Sequence, residues 1–203
     1  MERNQTPEDK IKITRFFNEL LGTYGAHSAR GVGWGSDELQ LTRFEILIEI
    51  ADLNNSSILD VGCGLGDFYG YLKSKLEQFE YLGIDITNGL VRDALDKYPD
   101  GNFQLREVFD LEDNSFDFVF ASGVFSYNIP DYFEKYFAII EKMYKIARKG
   151  VAFNMLDRKN HIIDETFMAY EPEEVLARCR MITEKAHLRQ GYLPQDFTLF
   201  LYK

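Results

Sequence analysis

Apolar and polar positions follow two periods along this chain. From Ile58 onward, short continuous apolar runs of strand length alternate with stretches whose apolar residues recur at helical spacing. The runs at 58–62, 81–86, 103–107, 116–122, 151–155, 181–188 and 197–202 read as strands. Between them the pattern predicts helices at 67–79, from Asn88 to Tyr98 behind a Thr87 cap, from Pro130 to Ala147 with Gly150 as its stop, and from Pro172 to about Arg180. This alternation predicts an α/β, doubly wound, seven-stranded and mostly parallel sheet with right-handed crossovers. The link from Arg189 to Asp196 is too short for a helical crossover, so the last two strands are expected as an antiparallel hairpin at the sheet edge.

The first 52 residues carry helical periodicity only. Thr6, Pro7, Glu8 and Asp9 form a helix start, Ile13, Phe16, Phe17, Leu20 and Leu21 form one apolar face, and Gly22 is the expected stop. Five glycines among the fourteen residues of 22–35, with no periodicity, predict a flexible loop. Ser36 then caps a second helix ending near Asp52. The expected organisation is one domain, with 1–52 as a helical cap or lid on a core at 57–203.

The segment Ile58 to Phe68 is the most specific chemical signal, because a buried strand runs into Gly62, Gly64 and Gly66 and then into a helix. Such a turn lets a ligand approach bare backbone amides at a helix start. The next strand ends in Asp85, about where a mononucleotide-binding unit keeps the carboxylate that holds ribose hydroxyls. A dinucleotide dehydrogenase would carry a third glycine where Asp67 stands.

Asp60 followed by the three alternating glycines resembles the first motif of class I S-adenosylmethionine-dependent methyltransferases. The antiparallel close of the sheet extends that resemblance over about 57–203. The resemblance implies S-adenosylmethionine as cofactor, S-adenosylhomocysteine as product, and a cofactor site of Asp60, Gly62, Cys63, Gly64 and Gly66 at the turn. Asp85 would take the ribose and Ile86 one adenine face. Glu107, with Asp110 as a rival, would stand where the family often has an adenine-binding aspartate, and Ala121 and Ser122 would lie beneath the cofactor.

Alternatives stay open at several positions. Asp60 either orients the cofactor's amino group or ties down the loop, and Ile86 is either an adenine contact or ordinary core. Tyr127 and Asn128 border the methyl or serve as loop and helix-cap residues. Trp34 closes over a ligand or anchors its loop. Arg43, Asn154 and Tyr170 are further substrate candidates, while His161 reads as a loop histidine. His27 and Tyr24 are the candidate general bases if the acceptor is an oxygen that must lose a proton.

Composition narrows the partners. Over 203 residues the formal net charge is −10, which disfavours a broad footprint on nucleic acid or anionic lipid. Two cysteines and three scattered histidines offer neither a disulfide framework nor a metal set, and no run reaches membrane-spanning length, so a cytoplasmic protein is expected. The proline-containing motifs of amino-DNA and cytosine-5 methyltransferases are absent, so a small-molecule acceptor and no DNA partner are expected. A protein or tRNA acceptor, with Lys142, Lys145, Arg148 and Lys149 as docking face, and a non-catalytic cofactor-binding subunit are the alternatives. The pattern Gly33-Trp34-Gly35, Gln40 and Arg43-Phe44, with Asn154 and Asp196 further on, resembles a group of stand-alone methyltransferases and does not name an acceptor.

Overall fold

The computed structural model describes residues 4–160 and 165–203. Seven strands form one sheet: β1 (Ser56–Val61), β2 (Phe79–Asp85), β3 (Phe103–Leu105), β4 (Phe116–Ala121), β5 (Ala147–Leu156), β6 (Ala186–Arg189) and β7 (Asp196–Tyr202), in the order β3-β2-β1-β4-β5-β7-β6. All pairings from β3 to β5 are parallel, while β7 runs antiparallel to both β5 and β6. The expected hairpin is present, with β7 slotted between β5 and β6 rather than added outside them. Every residue of β1 is buried, as a central strand covered on both faces requires.

Side chains alternate across the sheet and build two cores. Leu59, Val61, Leu82 and Val119 pack with Phe137, Ile140 and Met143 of α5 (Tyr132–Ile146), and α1 (Pro7–Tyr24) contributes Ile13 to this side. Ile58, Phe118, Phe120 and Ala152 pack on the opposite side with Phe44 and Leu47 of α2 (Asp37–Leu47) and Phe68 and Leu72 of α3 (Asp67–Lys75). The helices α4 (Asn88–Lys97) and α6 (Pro172–Arg180) complete the layers. Among the described residues no helix is long and apolar enough to cross a membrane.

Several boundaries differ from expectation for local reasons. The first helix continues through Gly22, a propensity cost of about 1 kcal/mol, and stops at Gly25 with φ 74°. The glycine-rich segment is partly ordered: Ser28 caps a 3-10 turn at Ala29–Val32, and Asp37 accepts the Ala29 amide. Gly150 does not stop α5, because Ala147 passes directly into β5; a Cβ at Gly150 would lie 3.0 Å from Ile50 and 3.1 Å from the Leu201 carbonyl. That glycine serves sheet packing. The helix α3 ends early because Phe79 already belongs to β2.

Candidate active site

Strand order reverses between β1 and β4, and open parallel sheets bind ligands beyond the carboxyl ends of the strands at such a point. There β1 ends in the glycine turn. The amides of Gly62 and Cys63 donate to the Ile84 carbonyl at 2.8 and 3.0 Å, which docks the turn against the end of β2. Gly64, at φ 54°, then donates its amide to Asp85 Oδ2 at 3.0 Å, and the Thr87 amide donates to Oδ1 at 2.8 Å. Each carboxylate oxygen therefore holds one backbone N–H and keeps acceptor capacity for another donor.

One cavity lies over this turn. From the cofactor residues expected from sequence, Asp60, Gly62, Cys63 and Gly64 line it from the turn, Asp85 and Ile86 from β2, and Glu107 and Ser122 from the ends of their own strands. Gly66 and Ala121 do not. A Cβ on Gly66 would sit 2.7 Å from Phe103, so that glycine permits packing between α3 and β3, and Ala121 is wholly buried. Of the two rivals for the adenine, Glu107 lines the cavity, and Asp110 accepts the Glu107 amide.

Of the expected substrate residues, only Trp34 reaches the cavity. Arg43 is buried in an ion pair with Asp196. Asn154 accepts the Gly123 amide at 2.9 Å and donates to Ser122 Oγ at 3.0 Å, so it supports the wall from behind. Tyr170 is buried and donates to the Phe125 carbonyl, while Asn128 is exposed and donates to the Glu165 carbonyl. Asn128 does not cap α5, whose first turn follows Asp131. Tyr127 bridges to Phe167 and packs on Phe16. His27 is exposed and Tyr24 is 48% exposed; neither lines the cavity, because α1 runs on to Tyr24 and the following 3-10 turn brings Val32 and Trp34 inward instead. His161 lies outside the described residues.

The first helix forms a wall that the sequence did not reveal. Ile13 and Phe17 line the cavity, and Lys10 pairs with Glu107 at 2.5 Å across its rim. Their helical spacing was legible, but periodicity names an apolar face without naming what it covers. Thr87 was also read too simply. It makes no side-chain cap to α4, and its buried Oγ1 lies at the cavity's edge beside Asp85, whose charged form the Thr87 amide and hydroxyl both favour.

Burial governs the electrostatics. It pushes the Asp60 carboxyl up to about 7, against the Tyr81 hydroxyl that donates to it at 2.7 Å and with help from the neighbouring Asp85 charge. Burial likewise raises Asp85, opposed by the amides of Thr87 and Gly64. The Cys63 thiol is pushed well above its ordinary value by burial and by the Asp85 and Asp60 charges, so it is a poor nucleophile. A glycine turn whose backbone lines the cavity, a ribose-type acceptor and buried carboxyls suit a ligand that combines a sugar with positive charge.

Comparison with known proteins agrees with this geometry. Residues 59–153 match the family model described as a methyltransferase domain. Fold, site and domain match are together similar to those of the class I S-adenosylmethionine-dependent methyltransferases, whose cofactor is S-adenosylmethionine; the matched domain spans just under half of the chain. Protein 235L of Invertebrate iridescent virus 6, which carries a provisional methyltransferase name, is 24% identical over 149 residues, covering 72% of this chain and 55% of its own length. The trans-aconitate 2-methyltransferase of Afipia carboxidovorans is 27% identical over 106 residues, covering 52% of this chain and 41% of its own. The chain thus spans about half the length of these two relatives. Among solved structures, magnesium protoporphyrin IX methyltransferase from Synechocystis PCC 6803, crystallised with bound S-adenosylmethionine, superposes with a TM-score of 0.70 at 13% identity, covering 98% of this chain and 99% of that one.

Proposed function

We propose that this protein transfers a methyl group from S-adenosylmethionine to a small-molecule acceptor by direct in-line displacement. The observation that carries the reading is Asp85 held against the Gly64 amide with lone pairs to spare, an arrangement suited to a pair of ribose hydroxyls. Ile86 and Glu107 would border the adenine, and Asp60, Ser122 and Trp34 the methionine part. The cofactor supplies a methyl made electrophilic by its sulfonium, which leaves alignment of the acceptor to the protein. With His27 and Tyr24 outside the cavity, we assign catalysis to alignment and desolvation rather than to a general base. Residues 1–52 act as the cap and 57–203 as the core.

A small acceptor is supported by the way α1 and the 3-10 turn roof the cavity, and by the small molecules for which the aconitate and porphyrin enzymes among the similar proteins are named. Three of the four residues of the basic cluster are engaged by carboxylates, Lys142 with Asp113 and Arg148 and Lys149 with Asp117, which leaves Lys145 as a small counterweight. Titration calorimetry is expected to detect both S-adenosylmethionine and S-adenosylhomocysteine. Asp85→Ala should weaken each by roughly a hundredfold, as the loss of two charge-assisted hydrogen bonds implies. Unchanged affinity in that variant would remove the ribose assignment.

A further inference from the structure

Five residues singled out in the sequence lie on or behind the cavity wall that carries Ser122 and Gly123. These are Trp34, Gln40, Arg43, Asn154 and Asp196. Of these, Trp34 and Gln40 border the cavity, as do Ser122 and Gly123, whereas Arg43, Asn154 and Asp196 stand behind it.

The central link is Arg43. Its Nε donates to Asp196 Oδ1 at 3.0 Å, its Nη2 to Asp196 Oδ2, and its Nη1 to the Leu39 carbonyl at 2.8 Å. The pair is dry, with the arginine side chain 3% and the aspartate 1% exposed. The guanidinium carbon lies 4.2 Å from the centroid of the Trp34 ring. That ring in turn lies so close to Gly123 that a Cβ there would stand 2.5 Å from it. Gly123 is itself fixed, at φ 75°, by the Asn154 side chain.

A buried ion pair contributes little net stability compared with apolar packing, so its useful product here is geometry. The rigid guanidinium fork engages both carboxylate oxygens and still presents its face to an aromatic ring, which a lysine cannot do. The ring is therefore held by Arg43 and, through it, by the first residue of β7, while its own loop fixes the backbone, the Trp34 amide donating to the Ala29 carbonyl at 3.0 Å.

We propose that Arg43 is a positioning residue: anchored by Asp196, it fixes Trp34 against Gly123 and thereby sets the cavity wall that contacts the amino-acid part of the cofactor. The proposal rests on the methyltransferase reading above. Two probes separate this wall from the ribose end, adenosine and S-adenosylhomocysteine, which shares the nucleoside and adds the homocysteine chain. In Arg43→Lys and in Trp34→Ala, calorimetry should show S-adenosylhomocysteine weakened roughly tenfold and adenosine changed by less than about twofold. Trp34→Phe, which keeps a ring, should restore S-adenosylhomocysteine to within about threefold of the parent. Because Trp34 is the only tryptophan, its emission reports the wall directly, and Arg43→Lys should shift it to the red.

Trp34 is only partly buried, so Trp34→Ala remains informative if the arginine variant does not fold. Equal weakening of both probes would mark a general structural role and overturn the proposal, as would unchanged S-adenosylhomocysteine binding in Trp34→Ala. If the parent protein binds neither probe, the methyltransferase reading itself fails and takes this proposal with it.

Discussion

Asp60 is a carboxyl that folding keeps protonated beyond its ordinary range, up to about 7. Its folded value lies above its unfolded one, so the unfolded chain releases this proton first. Stability from this group therefore falls as pH rises between about 4 and 7, and the penalty is complete above that window. Asp60→Asn keeps the shape and an acceptor for Tyr81 while removing the titration. Its stability relative to the parent, measured by urea unfolding without ligand, should improve by roughly 2–3 kcal/mol between about pH 5 and pH 7. A difference that stays flat with pH would mean that Asp60 is ionised in the folded protein. Among individual residues, those fixed by backbone geometry were legible in sequence, namely the glycine turn and Asp85. Those whose meaning depends on a distant partner were not: Arg43 read as a substrate contact because its partner, Asp196, lies 153 positions away.

The helix α1 shows what an element needs beyond propensity. Thr6 and Asp9 form a reciprocal cap at its start, and Asp9 also meets Lys135 of α5 at 2.7 Å in a nearly solvent-free contact. Burial pushes the Asp9 carboxyl up, but the Lys135 ammonium and the Thr6 amide and hydroxyl reverse this and leave it below its ordinary value. That depressed carboxyl contributes stability above the usual carboxylate range and loses it in acid. Lys135→Met should cost roughly 3 kcal/mol near neutral pH by stranding the Asp9 charge. The deficit should shrink as pH falls through the carboxylate range, because a protonated Asp9 needs no cation; denaturant melts at two pH values would decide. The starts of α1 and α2 were legible because Thr6 and Ser36 cap them locally, whereas helix ends were displaced at Gly22 and Gly150. Glycine stops a helix only where the backbone turns to positive φ, as it does at Gly25.

At the level of the molecule, the alternation of periods was enough to read the seven-stranded sheet, since connection length and handedness leave few topologies open. A cap formed by 1–52 was an expectation from sequence, but which side chains of α1 and the glycine-rich turn line the cavity was not legible, because nothing local records how they meet the strand ends. The whole-molecule charge of −10 bears on the acceptor. Passed over immobilised tRNA in about 50 mM salt, the protein should emerge without delay, whereas retention that fades with added salt would favour a macromolecular acceptor.

The place of β7 has a consequence for how the chain is made. Residues 196–202 pair along β5 and also supply the carboxylate that grips Arg43. While those residues are still inside the ribosome, β5 offers neighbours an open, apolar edge, a surface prone to wrong pairing. Ligand capture thus waits for β7 to emerge, and a nascent polypeptide still lacking that strand would be sticky before it was ever useful.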